Sequence, residues 1–236
     1  RGYICVAVCE TPAHDGKSRV RIVTPESFAA RFDVSRETLA SLLAYVTLLE
    51  KWQRRINLVS SATLPDIWRR HILDSAQLFS FISDIKGNII DFGSGAGFPG
   101  LIMAIMGKKN IHLVESDHKK CVFLKEIAML TETDITIHNC RIEDLSFINV
   151  DLITCRALAS LSKLIDYVEI FINKSLGEKQ KLPKLLFLKG KSYYSEVIEL
   201  SKNKKISFEE HPSITDRNGK ILYINRVDTL DIENDK

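Results

Sequence analysis

The chain has 236 residues, 45% of them hydrophobic, which suits one α/β domain with a small extra element and excludes a disordered or fibrous protein. The formal net charge is +3 and the pI about 8.5, too weakly basic for charge alone to indicate a nucleic-acid partner. No apolar run approaches the roughly 18 residues that span a bilayer, so no membrane partner is expected. Five cysteines, Cys5, Cys9, Cys121, Cys140 and Cys155, form no C-x-x-C pair. A reducing, cytoplasmic setting without a metal site is therefore expected, with Cys121 and Cys155 as buried thiols.

In chain order, residues 1–23 show no periodicity and read as a flexible tail. The apolar stretch near Arg1 is too short for a signal sequence. At Thr24-Pro25-Glu26 a capping hydroxyl, a first-turn proline and an acid open a helix. A longer helix follows Ser35, with Leu39, Leu42, Leu43, Val46, Leu49, Trp52 and Ile56 at helical spacing. That spacing makes Trp52, and Trp68 in the next segment, core residues rather than base-stacking platforms. A third helical segment spans Pro65 to Phe81 and carries Arg69, Arg70 and His71 between apolar residues. Residues 24–86 thus form an N-terminal helical segment.

From residue 87 to 236 strands and helices alternate. Asn88-Ile89-Ile90 reads as a strand, a glycine-dense turn follows, and Leu101 to Met106 forms a helix. Ile111 to Val114 is the next strand, ending at Glu115, with a helix over Lys119–Leu130. Strands over Ile135–Ile137, Asp151–Cys155 and Lys184–Leu188 alternate with helices over Leu161–Asn173 and Tyr193–Asn203. Two late strands, near Ile206–Phe208 and Ile221–Asn225, flank the turn Arg217-Asn218-Gly219-Lys220. Such alternation predicts a Rossmann-like, mainly parallel seven-stranded sheet with helices on both faces. Ligands in such sheets bind at the carboxyl ends of the strands.

The glycine turn is Asp91-Phe92-Gly93-Ser94-Gly95-Ala96-Gly97-Phe98-Pro99-Gly100. Its glycines admit positive φ and close approach of a ligand, and the turn is expected to present free backbone N–H groups at a helix start. Counted from Gly95, it satisfies the dinucleotide pattern. Counted from the strand, Asp91-x-Gly93-x-Gly95-x-Gly97 is the acid-plus-three-glycine loop of S-adenosylmethionine-dependent methyltransferases. Phe98 stands at the third-glycine position counted from Gly93, which argues against a pyrophosphate. Asp91 argues for a cationic or hydroxyl-bearing ligand. Glu115 lies about 20 residues on, where an acid accepts ribose hydroxyls in either cofactor class.

Several separated motifs resemble the bacterial ribosomal RNA small subunit methyltransferase G family, also called glucose-inhibited division protein B. They are Arg70-His71-Ile72-Leu73-Asp74-Ser75, the loop Asp91 to Gly100, Arg141-Ile142-Glu143, Arg156-Ala157 and Leu188-Lys189-Gly190, in the family's order. The resemblance covers roughly residues 24 to 226. Ala96 stands where the family usually has Pro, and Phe98 where Leu is common. The resemblance implies a class I methyltransferase fold and methyl transfer from S-adenosylmethionine to N7 of guanine 527 in 16S rRNA. It maps cofactor contacts onto Gly93, Phe98, Ile142, Glu143 and Arg156. Asp91, Gly95, Gly97 and Glu115 complete the expected cofactor set from the loop reading.

Guanine N7 has an in-plane lone pair and no proton to lose, so no general base is required, and the chain shows no obvious Ser/His/Asp or paired-carboxylate constellation. Arg156 and Lys189 are the candidate catalytic residues, Arg156 suiting an anion or a structural ion pair better than proton transfer. Arg70, His71, Lys189 and Lys191 are candidate RNA contacts. Arg70 and His71 are equally open to caps or pairs with Asp74. Lys174, Lys179, Lys181 and Lys184 read as a solvated face. A monomer acting on 16S rRNA or the small subunit is expected. A methyltransferase on another substrate, a nicotinamide oxidoreductase and a non-catalytic RNA-binding protein remain alternatives.

Overall fold

A computed structural model describes residues 22–174 and 182–229. The expected tail lies almost wholly outside the described residues, as do Cys5, Cys9, Lys179 and Lys181. The first helix, α1 (Pro25–Phe32), opens with a capping box: Ser27 N donates to Thr24 Oγ1 (3.2 Å) and Thr24 N donates to Ser27 Oγ (2.9 Å). Helix α2 (Arg36–Gln53) is capped by Ser35, whose hydroxyl accepts from Thr38 N. Both begin where the capping residues predict.

The third segment departs from the single helix expected. It runs as a 3-10 turn (Leu64–Asp66), a π-helical stretch (Trp68–Leu73), a short α3 (Asp74–Ala76) and a second 3-10 turn (Gln77–Phe81). All three helix types leave apolar side chains on one face, so sequence spacing does not separate them.

Seven strands follow: β1 (Ile89–Phe92), β2 (Ile111–Val114), β3 (Thr136–His138), β4 (Leu152–Arg156), β5 (Lys184–Lys189), β6 (Lys204–Pro212) and β7 (Lys220–Thr229). Between them run α4 (Gly100–Ile105), α5 (His118–Leu130), α6 (Leu161–Ile172) and α7 (Tyr193–Leu200). The sheet order is β3-β2-β1-β4-β5-β7-β6. The first five strands pair in parallel, and β7 is antiparallel to both β5 and β6. Order reverses between β1 and β4, which makes their carboxyl ends the crevice of the sheet. The late strands outrun their predicted lengths. β6 is an edge strand that alternates half-buried and exposed residues, and its Lys205, Glu209 and Glu210 mask the pattern.

Adjacent β1 residues serve opposite faces. Ile89 packs with Phe28, Leu42, Tyr45, Leu49, Leu101 and Phe123 on one side. Ile90 and Phe92 pack with Leu161, Leu164, Phe171 and Phe187 on the other. The N-terminal helices therefore share a core with α4 and α5. No helix among the described residues is long and apolar enough to cross a membrane, and among them no group of three or more His, Cys, Asp and Glu side chains is placed to hold a metal.

Candidate active site

The glycine turn connects β1 to α4 and forms one wall of a cavity of about 530 Å³ at the carboxyl ends of β1, β2 and β4. That volume falls within the roughly 300–1,000 Å³ of small-molecule sites. Of the expected cofactor residues, Gly93, Gly95, Phe98, Glu115, Ile142, Glu143 and Arg156 line it together.

Asp91 and Gly97 do not line it. Asp91 is wholly buried behind the turn; its Oδ2 accepts from Gly100 N (3.2 Å) and its Oδ1 has no partner. Burial pushes this carboxyl up to about 7. A Cβ at Gly97 would meet Leu101 Cβ at 2.7 Å and Leu124 at 3.1 Å, so this glycine serves helix packing. Gly93 and Gly95 have φ of 66° and 57°, and a Cβ on Gly95 would have no heavy atom nearer than 3.9 Å.

The expected array of free N–H groups is overturned. Gly97 N and Phe98 N both donate to Ser94 O, at 2.7 and 3.1 Å, and Leu101 N donates to Gly97 O. Gly100 N is taken by Asp91, and Gly95 N donates to Glu115 Oε2 (2.8 Å). The positive-φ glycines curl the turn back onto its own acceptors, and two strand-end carboxyl groups take the Gly95 and Gly100 donors. With the helix-start amides of Gly97, Phe98, Gly100 and Leu101 engaged, this wall offers a phosphate no helix N-terminus, which argues against the dinucleotide reading. Glu115 also accepts from Asp117 N through Oε1 (2.8 Å). Each of its oxygens keeps a further lone pair beside the cavity.

Arg156 closes the opposite side. Its Nη1 donates to Arg70 O (3.0 Å) and Asp74 Oδ2 (3.1 Å), and its Nη2 donates to His71 Nδ1 (2.7 Å). The guanidinium lies 4.6 Å from the centre of the Phe98 ring, and His71 stacks on the same ring. Because arginine only donates, His71 Nδ1 is an acceptor and the ring proton sits on Nε2, which donates to Thr63 Oγ1 (2.8 Å). Burial, with Arg156 and Arg70 adding repulsion, lowers the His71 pKa to about 3, so the imidazole is neutral. Asp74 is held in turn by Gln77 Nε2 and by Thr215 of the β6–β7 turn.

These contacts correct two of the expected RNA-facing residues, His71 and Lys189. His71 is buried on the cavity wall and does not face outward. It binds Arg156 rather than Asp74. Arg70 is paired with Asp216 (3.4 Å). Lys189, with a side chain 8% exposed, is held by Glu196 (2.6 Å) and Ala159 O (2.8 Å), which takes it out of reach of an RNA phosphate and away from the cavity wall. Lys191 is exposed. Trp52 packs on Phe123 and Trp68 on Phe28, as core spacing predicts. Cys121 and Cys155 are buried thiols whose pKa values burial raises, to about 11 and about 12.

Sequence reasoning missed Leu58, Val59, Ser116, Lys120, Leu158 and Tyr167, all of which line the cavity. They come from loops, the start of α5 and the middle of α6, none of which carries a motif. Ala157, also on the wall, has φ 53°, in the left-handed region. Tyr45 supports the turn from outside: its hydroxyl donates to Ala96 O (2.7 Å) and its ring meets Phe98 edge-on.

The profile of the family described as rRNA small subunit methyltransferase G matches residues 38–223. A protein named ribosomal RNA small subunit methyltransferase G from Paramagnetospirillum magneticum is 45% identical over 203 residues, covering 86% of this chain and 96% of its own. One of the same name from Rickettsia prowazekii is 40% identical, covering 82% and 97%. Among solved structures, a mutant of MtNAS in complex with S-adenosylmethionine superposes with a TM-score of 0.54 at 12% identity, covering 86% of this chain and 84% of its own. Magnesium protoporphyrin IX methyltransferase from Synechocystis with bound S-adenosylmethionine gives 0.52 at 12% identity, covering 82% and 98%. The fold is that of the class I methyltransferases. The span of the family match and the identity to relatives over nearly their whole length agree: this chain belongs to the rRNA small subunit methyltransferase G family.

Proposed function

We propose that the protein methylates N7 of guanine 527 in 16S rRNA, with S-adenosylmethionine as donor. The observation that carries this reading is the cavity at the β1–β4 crevice, walled by an internally bonded glycine turn and by the Glu115 carboxylate. Its size suits a nucleoside cofactor. Its lack of an amide cradle suits a ligand without phosphate. Glu115 would accept the ribose hydroxyls, Ile142 and Glu143 would flank the adenosine, and Gly93, Gly95 and Phe98 would line the remainder. Bound there, S-adenosylmethionine would supply an electrophilic methyl on a cationic sulfur.

The side chains around the cavity fit a reaction that moves no proton. Neutral His71 has its Nδ1 lone pair committed to Arg156 and its proton committed to Thr63. Arg156 has three of its five N–H donors engaged, and Asp74 offsets its charge. These groups hold the wall in shape and position a base edge, so the rate would come from orientation. A target base must leave its stack or lie in a loop to enter.

The test is nucleoside mass spectrometry of 16S rRNA from cells with and without the gene, beside calorimetry of the purified protein. We expect 7-methylguanosine at that position to vanish in the deletion, and S-adenosylhomocysteine but not NAD to bind. An unchanged 7-methylguanosine signal rejects the substrate; NAD binding without S-adenosylhomocysteine binding rejects the cofactor.

A further inference from the structure

Lys189 is buried on Glu196, and Arg70 pairs with Asp216 at the surface. A further group of cations lies along the last turn of α2 and the outer face of α5. The segment Lys51 to Ile56 contains no acid, nor does His118 to Lys125. Together they carry Lys51, Arg54, Arg55, Lys119, Lys120 and Lys125, and none of these forms an ion pair among the described residues. All but Lys120 are exposed.

These cations form a strip that begins at the cavity. Lys120 lines the cavity wall itself. Lys51 and Arg55, with Trp52 and Glu126, bound a separate recess of about 150 Å³. Gln53 joins the two: its side chain takes Leu58 N (2.9 Å) and Val59 N (3.0 Å) and donates to Val59 O (2.8 Å), fixing the loop that supplies Leu58 and Val59 to the cavity wall. Its neighbour Trp52 donates to Glu126 Oε2 (2.9 Å) and packs on Phe123, tying α2 to α5. Along α5 the six-residue step from Lys120 to Glu126 spans about 9 Å. Glu126, the acid of the recess, is thus already bonded to Trp52.

We propose that the RNA strand leading to the target base lies across this strip, its phosphates meeting Lys51, Arg55 and Lys120 in turn as the base enters the cavity. The proposal rests on the RNA substrate of the proposed function. A row of six cations, unpaired among the described residues, with Glu126 as the one acid of its recess is complementary to a polyanion. Each phosphate it neutralises releases counterions, which gives affinity that salt weakens.

The experiment compares the parent with Lys51→Ala combined with Arg55→Ala. A control combines Lys109→Ala with Lys205→Ala, exposed lysines at the amino ends of β2 and β6, with Lys109 opposite the cavity. Small-subunit RNA binding is titrated at several salt concentrations, methyl transfer is timed, and S-adenosylhomocysteine binding is measured by calorimetry. For two lost single-strand phosphate contacts the salt slope should flatten by about 1.4, with RNA affinity at low salt down about tenfold or more. KM for RNA should rise with kcat unchanged, and unchanged S-adenosylhomocysteine affinity reports an intact fold. An RNA affinity and salt slope equal to the control overturns the strip while leaving the function standing. A parent that neither binds nor methylates small-subunit RNA overturns the functional reading and the strip with it. Loss of binding to phosphatidylserine vesicles with RNA affinity unchanged also overturns it, in favour of a membrane.

Discussion

Asp91 shows how a residue at the heart of a motif serves the scaffold. Its folded carboxyl keeps a proton to about pH 7, whereas the unfolded group loses it near 3.8. Between those values the native state holds the extra proton, so Asp91 lowers stability as pH rises from about 4 to 7, and the loss persists above 7. Asp91→Asn should abolish that dependence. Between pH 5 and pH 8 the variant should gain on the parent by about 3 kcal/mol, two pH units of the window at 1.36 kcal/mol each. Urea melts near pH 5 and 8 measure it; parallel stability curves would show that Asp91 does not titrate in this range. The glycines divide by neighbour in the same way. Gly95→Ala incurs left-handed strain of about 1–2 kcal/mol and should weaken S-adenosylhomocysteine binding about tenfold. At Gly93 the new Cβ would push Leu158 Cδ1, 2.6 Å away at the flexible end of an exposed side chain, with a similar outcome. Gly97→Ala would drive into Leu101 and Leu124, adding about 1–3 kcal/mol of overpacking, and should lose stability first. Calorimetry and thermal melts on the three variants separate the patterns.

Elements outside the sheet hold the turn in place. Helix α2 reaches it through Tyr45, whose hydroxyl donates to the buried carbonyl of Ala96. Tyr45→Phe keeps the ring packing against Phe98 and Phe123 but strands that carbonyl, at about 1–3 kcal/mol. A variant as stable as the parent, with unchanged S-adenosylhomocysteine affinity, would show that α2 does not brace the turn. The broken helical segment acts similarly. Through Asp74 it joins Arg156 at the end of β4 to Thr215 in the β6–β7 turn. These braces were not legible in the sequence. Tyr45 carried no signal within the apolar α2 pattern, and Asp74 read only as a helical neighbour of Arg70 and His71, because both partners lie far along the chain. The strand–turn–helix framework was legible, since buried parallel strands leave continuous apolar runs and the glycine turn breaks them sharply. Lys189 misled because a lysine at a strand end has the same sequence signature whether it meets a phosphate or Glu196.

For the molecule as a whole, the shared core makes the N-terminal helices part of the methyltransferase fold. Phe28, Leu42, Tyr45 and Leu49 are fully buried against the face that carries Leu101, Phe123 and Leu124. A fragment of residues 87–236 would expose that face, at about 25 cal/mol for each Å² of apolar surface returned to water. It should show no cooperative thermal transition by circular dichroism. A sharp transition near that of the parent would mean that the sheet stands alone. Much of the cavity outline was legible, because ligand-side residues fall at strand ends in any sheet of this order. Leu58 and Val59 were not, because their loop reaches the cavity through contacts made by Gln53.

The self-contained bonding of the glycine turn bears on how a ligand finds its site. Amides that wait for a ligand exchange their hydrogens quickly until it arrives. Here Gly95, Gly97, Phe98 and Gly100 already have acceptors within the protein. Their exchange in deuterated water should be slow in the free protein, and S-adenosylhomocysteine should slow it by little more than the global gain in stability that binding brings. Rapid exchange at these positions, quenched only by ligand, would point to a turn that assembles on binding. Slow exchange from the outset means that the wall is set before any nucleoside enters, and that association bears little ordering cost there.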